Sequence, residues 1–302
     1  MISLTRERAA FGRHETFPLR FGWLTKGYRV WSEDNDLFEQ EEATVKLGVG
    51  KNMVTAIRYW MLATRIAKVG SAGFQPSDLG RRIFAEDGWD PYLEDDATLW
   101  LLHWLLASNP VEATALFWFF NRYHKPEFTG LELQQALKTF VAENLSVRVS
   151  DATLKNDVAL LLRMYQPSVL SISAALEESL DSPMATLGLI RPLPGTKFHE
   201  SLLESRDLLP PAIFGFAVAE VFTAISDPSV PVDRLMRSDG QLAAPGSVFR
   251  LTEEGLIGKL EELIAWQPGA FELRESAGLH QVFRLAELEP MEFLERHYGG
   301  KH

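Results

Sequence analysis

The segment Leu99–Phe120 sets the strongest limit on the fold, because Leu99, Trp100, Leu101, Leu102, Trp104, Leu105 and Leu106 leave almost no polar face. A helix that is apolar all round is either a membrane span or the centre of a core. His103, Asn109, Pro110 and Glu112 decide between the two, since proline interrupts a spanning helix and a carboxylate is costly in lipid. We therefore read two short buried helices that form the hub of the molecule, and expect no membrane partner. With 302 residues, 46% of them hydrophobic and 24% charged, the chain has enough apolar material to cover that hub. Its length favours two or more packed subdomains.

Elsewhere the hydrophobic spacing is mostly helical. Strand-like segments are short, at Phe249 to Leu251, Phe271 to Leu273 and Val282 to Leu285. The expected class is mainly α with small β-hairpins, as helix-turn-helix or winged-helix-like units around the central buried helical core. Pro and Gly cluster at 183–195, 228–231 and 239–246, which read as loops. A boundary near 167–183 would divide a helical DNA-binding part, 1–170, from a mixed carboxy-terminal part of helices and β-hairpins, 171–302. No repeat of fixed period is visible.

Thirty Lys and Arg stand against forty-one Asp and Glu, for a net charge of −11. That total excludes a protein coated in basic charge but leaves room for a local basic site. Residues 1–70 carry eleven basic and eight acidic side chains, a net of +3, which leaves −14 for residues 71–302. After the acidic run Glu33 to Glu42, residues 43–70 hold Lys46, Lys51, Arg58, Arg65 and Lys68 and no acid. The chain has no cysteine, which removes disulfides, thiolate metal sites and cysteine nucleophiles. Arg6, Glu7, Arg8, Arg13, His14 and Glu15 interrupt Met1 to Pro18, so no signal peptide is expected there and a cytoplasmic address is.

Ala43 to Leu47 can close a short helix, and Gly48-Val49-Gly50 supplies a turn in which positive φ is cheap. From Lys51 a second helix would place Met53, Val54, Ile57, Trp60 and Met61 in one apolar stripe, opposite a polar and cationic face of Lys51, Asn52, Thr55, Arg58 and Arg65. Arg and Asn suit guanine and adenine edges, and Lys and Thr suit phosphate oxygens. Two helices and a short glycine-bearing turn follow helix-turn-helix logic, and Phe74 to Gly80, with Arg81 and Arg82 beside it, would form a wing or a following cap. We expect duplex DNA as the ligand of a unit near 41–90, with Lys46, Lys51, Asn52, Thr55, Arg58 and Arg65 as its contacts. The bland alternative is an amphipathic surface helix whose cations are simply solvated. A second candidate helix, Ser150 to Tyr165, buries Leu154, Val158, Leu161 and Tyr165 while Lys155 and Arg163 point elsewhere, and plain helical packing explains it as well. A third, Thr252 to Trp266, carries Glu253, Glu254, Glu261 and Glu262 and is unsuited to phosphate.

Catalytic signals are sparse. Leu47 to Asn52 lacks the first glycine and the Ser or Thr of a phosphate-binding loop, since Val45 and Asn52 stand there. The chain shows no metalloprotease helix, nucleophile elbow or dinucleotide fingerprint. His14 with Glu15, and the run Glu94-Asp95-Asp96, have the residue types for a metal or a proton transfer. A turn histidine and a helix amino terminus are the commoner explanations, and neither site carries a catalytic claim.

The runs Gly12 to Arg20 (GRHETFPLR), Trp23 to Gly27 (WLTKG) and Leu47 to Trp60 (LGVGKNMVTAIRYW), with Ser276 to Gln281 further on, resemble the bacterial SspB-like family. This family has been catalogued as a domain of unknown function found beside sulfurtransferase-like genes of DNA phosphorothioate systems. The resemblance implies a role in DNA modification for phage defence, with a nickase that opens one strand for sulfur insertion. It also implies protein partners: a cysteine desulfurase, an ATPase and an ATP-pyrophosphatase-like enzyme. It carries no catalytic residue onto these positions. The expectation is a DNA-binding component, a magnesium-dependent nickase of such a system, or alternatively a non-enzymatic DNA-binding scaffold or transcription regulator.

Overall fold

In a computed structural model, residues 1–71, 73–167, 182–276, 278–287 and 289–300 are described. The boundary expected near 167–183 falls largely on 168–181, outside the described residues. The chain is mainly helical, and among the described residues there are three small antiparallel sheets, of two, three and three strands.

The hub is the Asp96–Ala107 helix, of whose twelve residues eleven are buried. Asp95 starts it by accepting the Ala97 N–H at 3.0 Å. Pro110 separates it from the Thr114–Arg122 helix, whose Phe117, Phe119 and Phe120 are fully buried. The Asp151–Tyr165 and Pro211–Ile225 helices pack on this pair, and one continuous core runs from Leu19 to Tyr298.

Polar groups inside such a core must find partners. Asn121 donates to the Ala107 carbonyl at 2.8 Å and accepts the Ala244 N–H at 3.0 Å. His103 lies in the middle of the hub helix, where Tyr165 Oη stands 2.8 Å from Nδ1 and the Val248 carbonyl 2.8 Å from Nε2. The carbonyl can only accept, so Nε2 carries the proton and Nδ1 accepts from the tyrosine. Burial pushes this imidazole down to about 3.

The first small sheet is the hairpin Ala67–Gly70 with Gly73–Pro76, directly after the Lys51–Ala63 helix. The other two share one layout. Glu127–Thr129 and Arg191–Pro192 flank Phe198–Glu200, and Ser229–Pro231 and Phe271–Ser276 flank Leu279–Arg284. In each, a strand that precedes three described helical segments pairs with the last strand of a hairpin that follows them. The expected strand at Phe249 to Leu251 does not form. Phe249 ends a helical turn, and Leu251 makes a single bridge to Glu204 while burying its side chain. Its apolar run belongs to the core rather than to a ladder.

The depressed His103 value fixes the sign of one pH effect. An unfolded histidine takes up a proton below about 6.5, while the buried one stays neutral down to about 3. In that window the unfolded state holds more protons, so stability falls as pH falls, by up to about 1.4 kcal/mol per pH unit. Urea midpoints measured between neutral and mildly acidic pH should show this slope. A His103→Gln variant should be less stable at neutral pH and flatter across the window.

Candidate nucleic-acid interface

The Ala43–Leu47 helix ends at Gly48 in the left-handed region, φ 58 and ψ 37, and the next helix, Lys51–Ala63, begins after extended Gly50. This is the local geometry expected from the glycine turn. Val54, Ile57, Trp60 and Met61 are buried and Met53 partly so. Burying each large apolar side chain contributes about 2 kcal/mol, which holds the helix by that face. Trp60 also donates its indole N–H to the Phe17 carbonyl at 3.1 Å.

The opposite face exposes Lys51, Asn52 and Thr55. Arg58 is half-buried, its guanidinium 4.8 Å from the centre of the Phe74 ring on the hairpin. Phe74 packs edge-on against Trp31 and Phe38 at 4.9 and 5.2 Å. A guanidinium laid on an aromatic face keeps its donors while losing freedom, so it is already oriented for a ligand. Neither Lys51 nor Arg58 has an acidic partner among the described residues. Arg13, Thr55 and Arg58 line one pocket of about 100 Å³ with Phe38, Val54 and Tyr59.

The six expected contacts do not form one surface. Lys46 is exposed on the preceding helix, where its ammonium donates to the Asp34 carboxylate and, at 2.9 Å, to Gln40 Oε1. The hydrogen bond from Lys46 holds Asp34 below the usual carboxylate range. Arg65 lies beyond the end of the Lys51–Ala63 helix, with φ 58, and turns inward. Its guanidinium bonds Glu220 Oε1 at 2.8 Å and the Ser108 hydroxyl. Trp104 donates to Glu220 Oε2 at 2.7 Å. Burial alone would raise the Glu220 carboxyl, but the Arg65 charge and these hydrogen bonds outweigh it and hold it low. Arg65 thus joins the cationic helix to the hub and is separated from Lys51, Asn52, Thr55 and Arg58.

Arg13 sits on a loop whose importance sequence reasoning placed on His14 and Glu15 instead. His14 Nε2 is 2.5 Å from Asp157 Oδ1, both side chains are buried, and the Thr16 N–H donates to Nδ1 at 3.0 Å. The proton is therefore on Nε2 and points at the carboxylate. Asp157 also accepts the Gly12 N–H at 2.9 Å, and Arg163 donates to the Thr16 carbonyl at 2.6 Å. Glu15 and Thr16 hold φ of 50 and 66, a conformation that a β-branched residue adopts only when its surroundings impose it. His14 stacks toward Trp60 at 6.5 Å between ring centres. The loop therefore bridges the Lys51–Ala63 helix and the Asp151–Tyr165 helix. Arg13, paired with Glu112, reaches the cationic face from it. The run Gly12 to Arg20 carried the signal, but only the fold shows which residue faces outward.

The residues proposed for a metal do not converge. Asp95 caps the hub helix and lies 2.9 Å from His297 Nε2. Asp90 accepts the Glu94 and Asp95 N–H groups at 2.8 and 3.1 Å. His14 pairs with Asp157 rather than Glu15. Among the described residues no group of three His, Asp or Glu side chains could hold a metal ion. The acidic run thus serves helix capping, as its position before a helix also allowed. No helix among the described residues is long and apolar enough to cross a membrane.

A family model described as a protein of unknown function, DUF4007, matches residues 11–298. Two crystal structures are similar over 97% of this chain. One, described as magnesium ion-bound SspB, has a TM-score of 0.86 and 30% identity, with 89% of that chain covered. The other, described as SspB, has a TM-score of 0.83 and 31% identity, with 90% of that chain covered. No curated protein sequence matches.

The buried Arg65–Glu220 pair yields a stability prediction. Removing one partner strands the other charge, so Arg65→Ala should cost about 3 kcal/mol in chemical denaturation. Because Glu220 is held low, the stability this pair contributes is present above the ordinary glutamate range and is lost as pH falls through the folded value. The pH dependence of stability should be correspondingly shallower in Glu220→Gln.

Proposed function

Because the chain belongs to the SspB-like, DUF4007 family along nearly its whole length, we propose that it is the DNA-engaging component of a DNA phosphorothioate-modification system. The observation that carries the DNA reading is the face of Lys51, Asn52, Thr55 and aromatic-stacked Arg58, free of acidic partners among the described residues, on a protein of net charge −11. A helix, a short helix, a glycine turn, a third helix and a hairpin follow one another from Trp23 to Pro76, an order that supports a winged-helix unit. The third helix would lie in the major groove, with Asn52 and Arg58 at base edges and Lys51 and Thr55 on phosphates. Arg13 from the bridging loop adds a cation at the edge of that face.

Strand nicking is the finer part of this proposal, with the other proteins of the system as partners. It comes from the family resemblance, and the chain's own residues supply DNA placement. No cleavage step is assigned to a side chain. The rival, a DNA-binding scaffold without turnover, is favoured by the dispersal of the acidic groups among capping and pairing roles.

Fluorescence anisotropy on a duplex tests the binding claim. Lys51→Ala and Arg58→Ala should each weaken affinity about tenfold, and each should lower the slope of log affinity against log salt by about one. Unchanged affinity in both would remove the assignment. Supercoiled plasmid incubated with magnesium or with EDTA tests the nick. Relaxed circles that need the metal and survive deproteinisation support a nickase, and retarded but unrelaxed plasmid supports the scaffold.

A further inference from the structure

The two three-stranded sheets belong to stretches of one design, which the sequence did not reveal as a repeat. In the first, the Thr114–Arg122 helix, the Glu127–Thr129 strand, the Gly130–Asn144 and Asp151–Tyr165 helices, the short 3-10 helix Pro183–Leu187 and the hairpin Arg191–Glu200 follow in order. In the second, the Pro211–Ile225 helix, the Ser229–Pro231 strand, two short helices, the Glu253–Trp266 helix and the hairpin Phe271–Arg284 do the same. Both sheets have the strand order first, third, second. This is the winged-helix order, in which the helix before the hairpin is the one offered to the groove. Such a helix binds phosphate only if its outward face is not acidic.

The two outward faces differ in charge. The Glu253–Trp266 helix exposes Glu253, Glu254, Glu261 and Glu262, while its Lys259 is buried and donates to the Asp207 and Leu209 carbonyls at 3.2 Å. That face repels DNA. The Asp151–Tyr165 helix exposes Lys155, Asn156 and Arg163. Asp151, at its start, is matched by Lys138 at 2.8 Å, and Asp157 is turned inward on His14. Exposed Arg148 lies just before the helix and exposed Lys197 near the hairpin tip, and Lys155, Arg148 and Lys197 have no acidic partner among the described residues. The hairpin is tied to the helix end where Gln166 Nε2 meets His199 Nδ1 at 2.7 Å.

We propose that the Asp151–Tyr165 helix and its hairpin contact the same duplex as the Lys51–Ala63 helix, through Lys155, Asn156, Arg148 and Lys197. The inference rests on the DNA reading of the first helix given above. Its physical basis is the bridging loop. Gly12 N–H and His14 are held by Asp157, Thr16 by Arg163, and Phe17 by Trp60, so the two cationic helices keep a fixed relative position. Two phosphate-contacting surfaces joined rigidly bind one duplex without a further ordering cost.

The test uses the full chain and a duplex of about three helical turns. Lys155→Glu combined with Lys197→Glu should bind about tenfold more weakly, and its salt slope should fall by about two. Both residues are exposed, so the thermal unfolding of the double variant should match that of the unmodified protein, which makes loss of binding a surface effect. Unchanged affinity and slope would overturn the inference, while a continuing loss in Arg58→Ala would leave the first surface standing. If neither pair of substitutions changes binding, the DNA reading itself fails.

Discussion

Burial of the Asp96–Ala107 helix on every side is the constraint on which the rest of the structure depends. A helix with no polar face must be surrounded, and the elements around it include the Thr114–Arg122 and Pro211–Ile225 helices and, through Tyr298, the carboxy-terminal helix. The surrounding elements therefore cannot move independently. The polar groups within this core are each tied to a distant segment: His103 to Tyr165 and the Val248 carbonyl, Trp104 to Glu220, Thr98 to Tyr298. In a low-dielectric interior these bonds specify one arrangement, since an unpartnered alternative is costly.

The cationic helix is anchored to that arrangement at two points. At its end, Arg65 reaches Ser108 and Glu220, and along its buried side Tyr59 and Trp60 meet the loop that holds His14. The Tyr59 hydroxyl donates to the Glu112 carbonyl at 2.9 Å, and burial pushes its phenol well above the usual range, so it stays a donor. The strain in Glu15 and Thr16 is sustained by the bonds that flank them. A duplex docked on Lys51 and Arg58 would thus rest on a surface fixed by the core rather than on a mobile loop.

Much of this was legible in the residues. The interruption of the apolar run at Pro110, the Gly48 turn and the helix starts at Ser150 and Thr252 are local chemistry, and the structure places helix ends at each. The apolar stripe from Met53 to Met61 faces inward because helical spacing alone decides it. The inward pairing of Arg65 was not legible, because its residue type and its place beside other cations say nothing of Glu220, which lies far along the chain. Arg13, Phe74 and the His14–Asp157 bond were invisible for the same reason. The repeated layout escaped detection because it lives in strand order, and its strands are as short as two or three residues.

On the proposed reading, duplex DNA lies against the Lys51–Ala63 helix and its hairpin. Amide hydrogen exchange with and without a saturating duplex tests it most directly. The account predicts slowed exchange at the start of that helix and in the hairpin Ala67–Pro76, with the acidic Glu253–Trp266 helix unchanged. Protection confined to the acidic helix, or absent from residues 51–58, would contradict it.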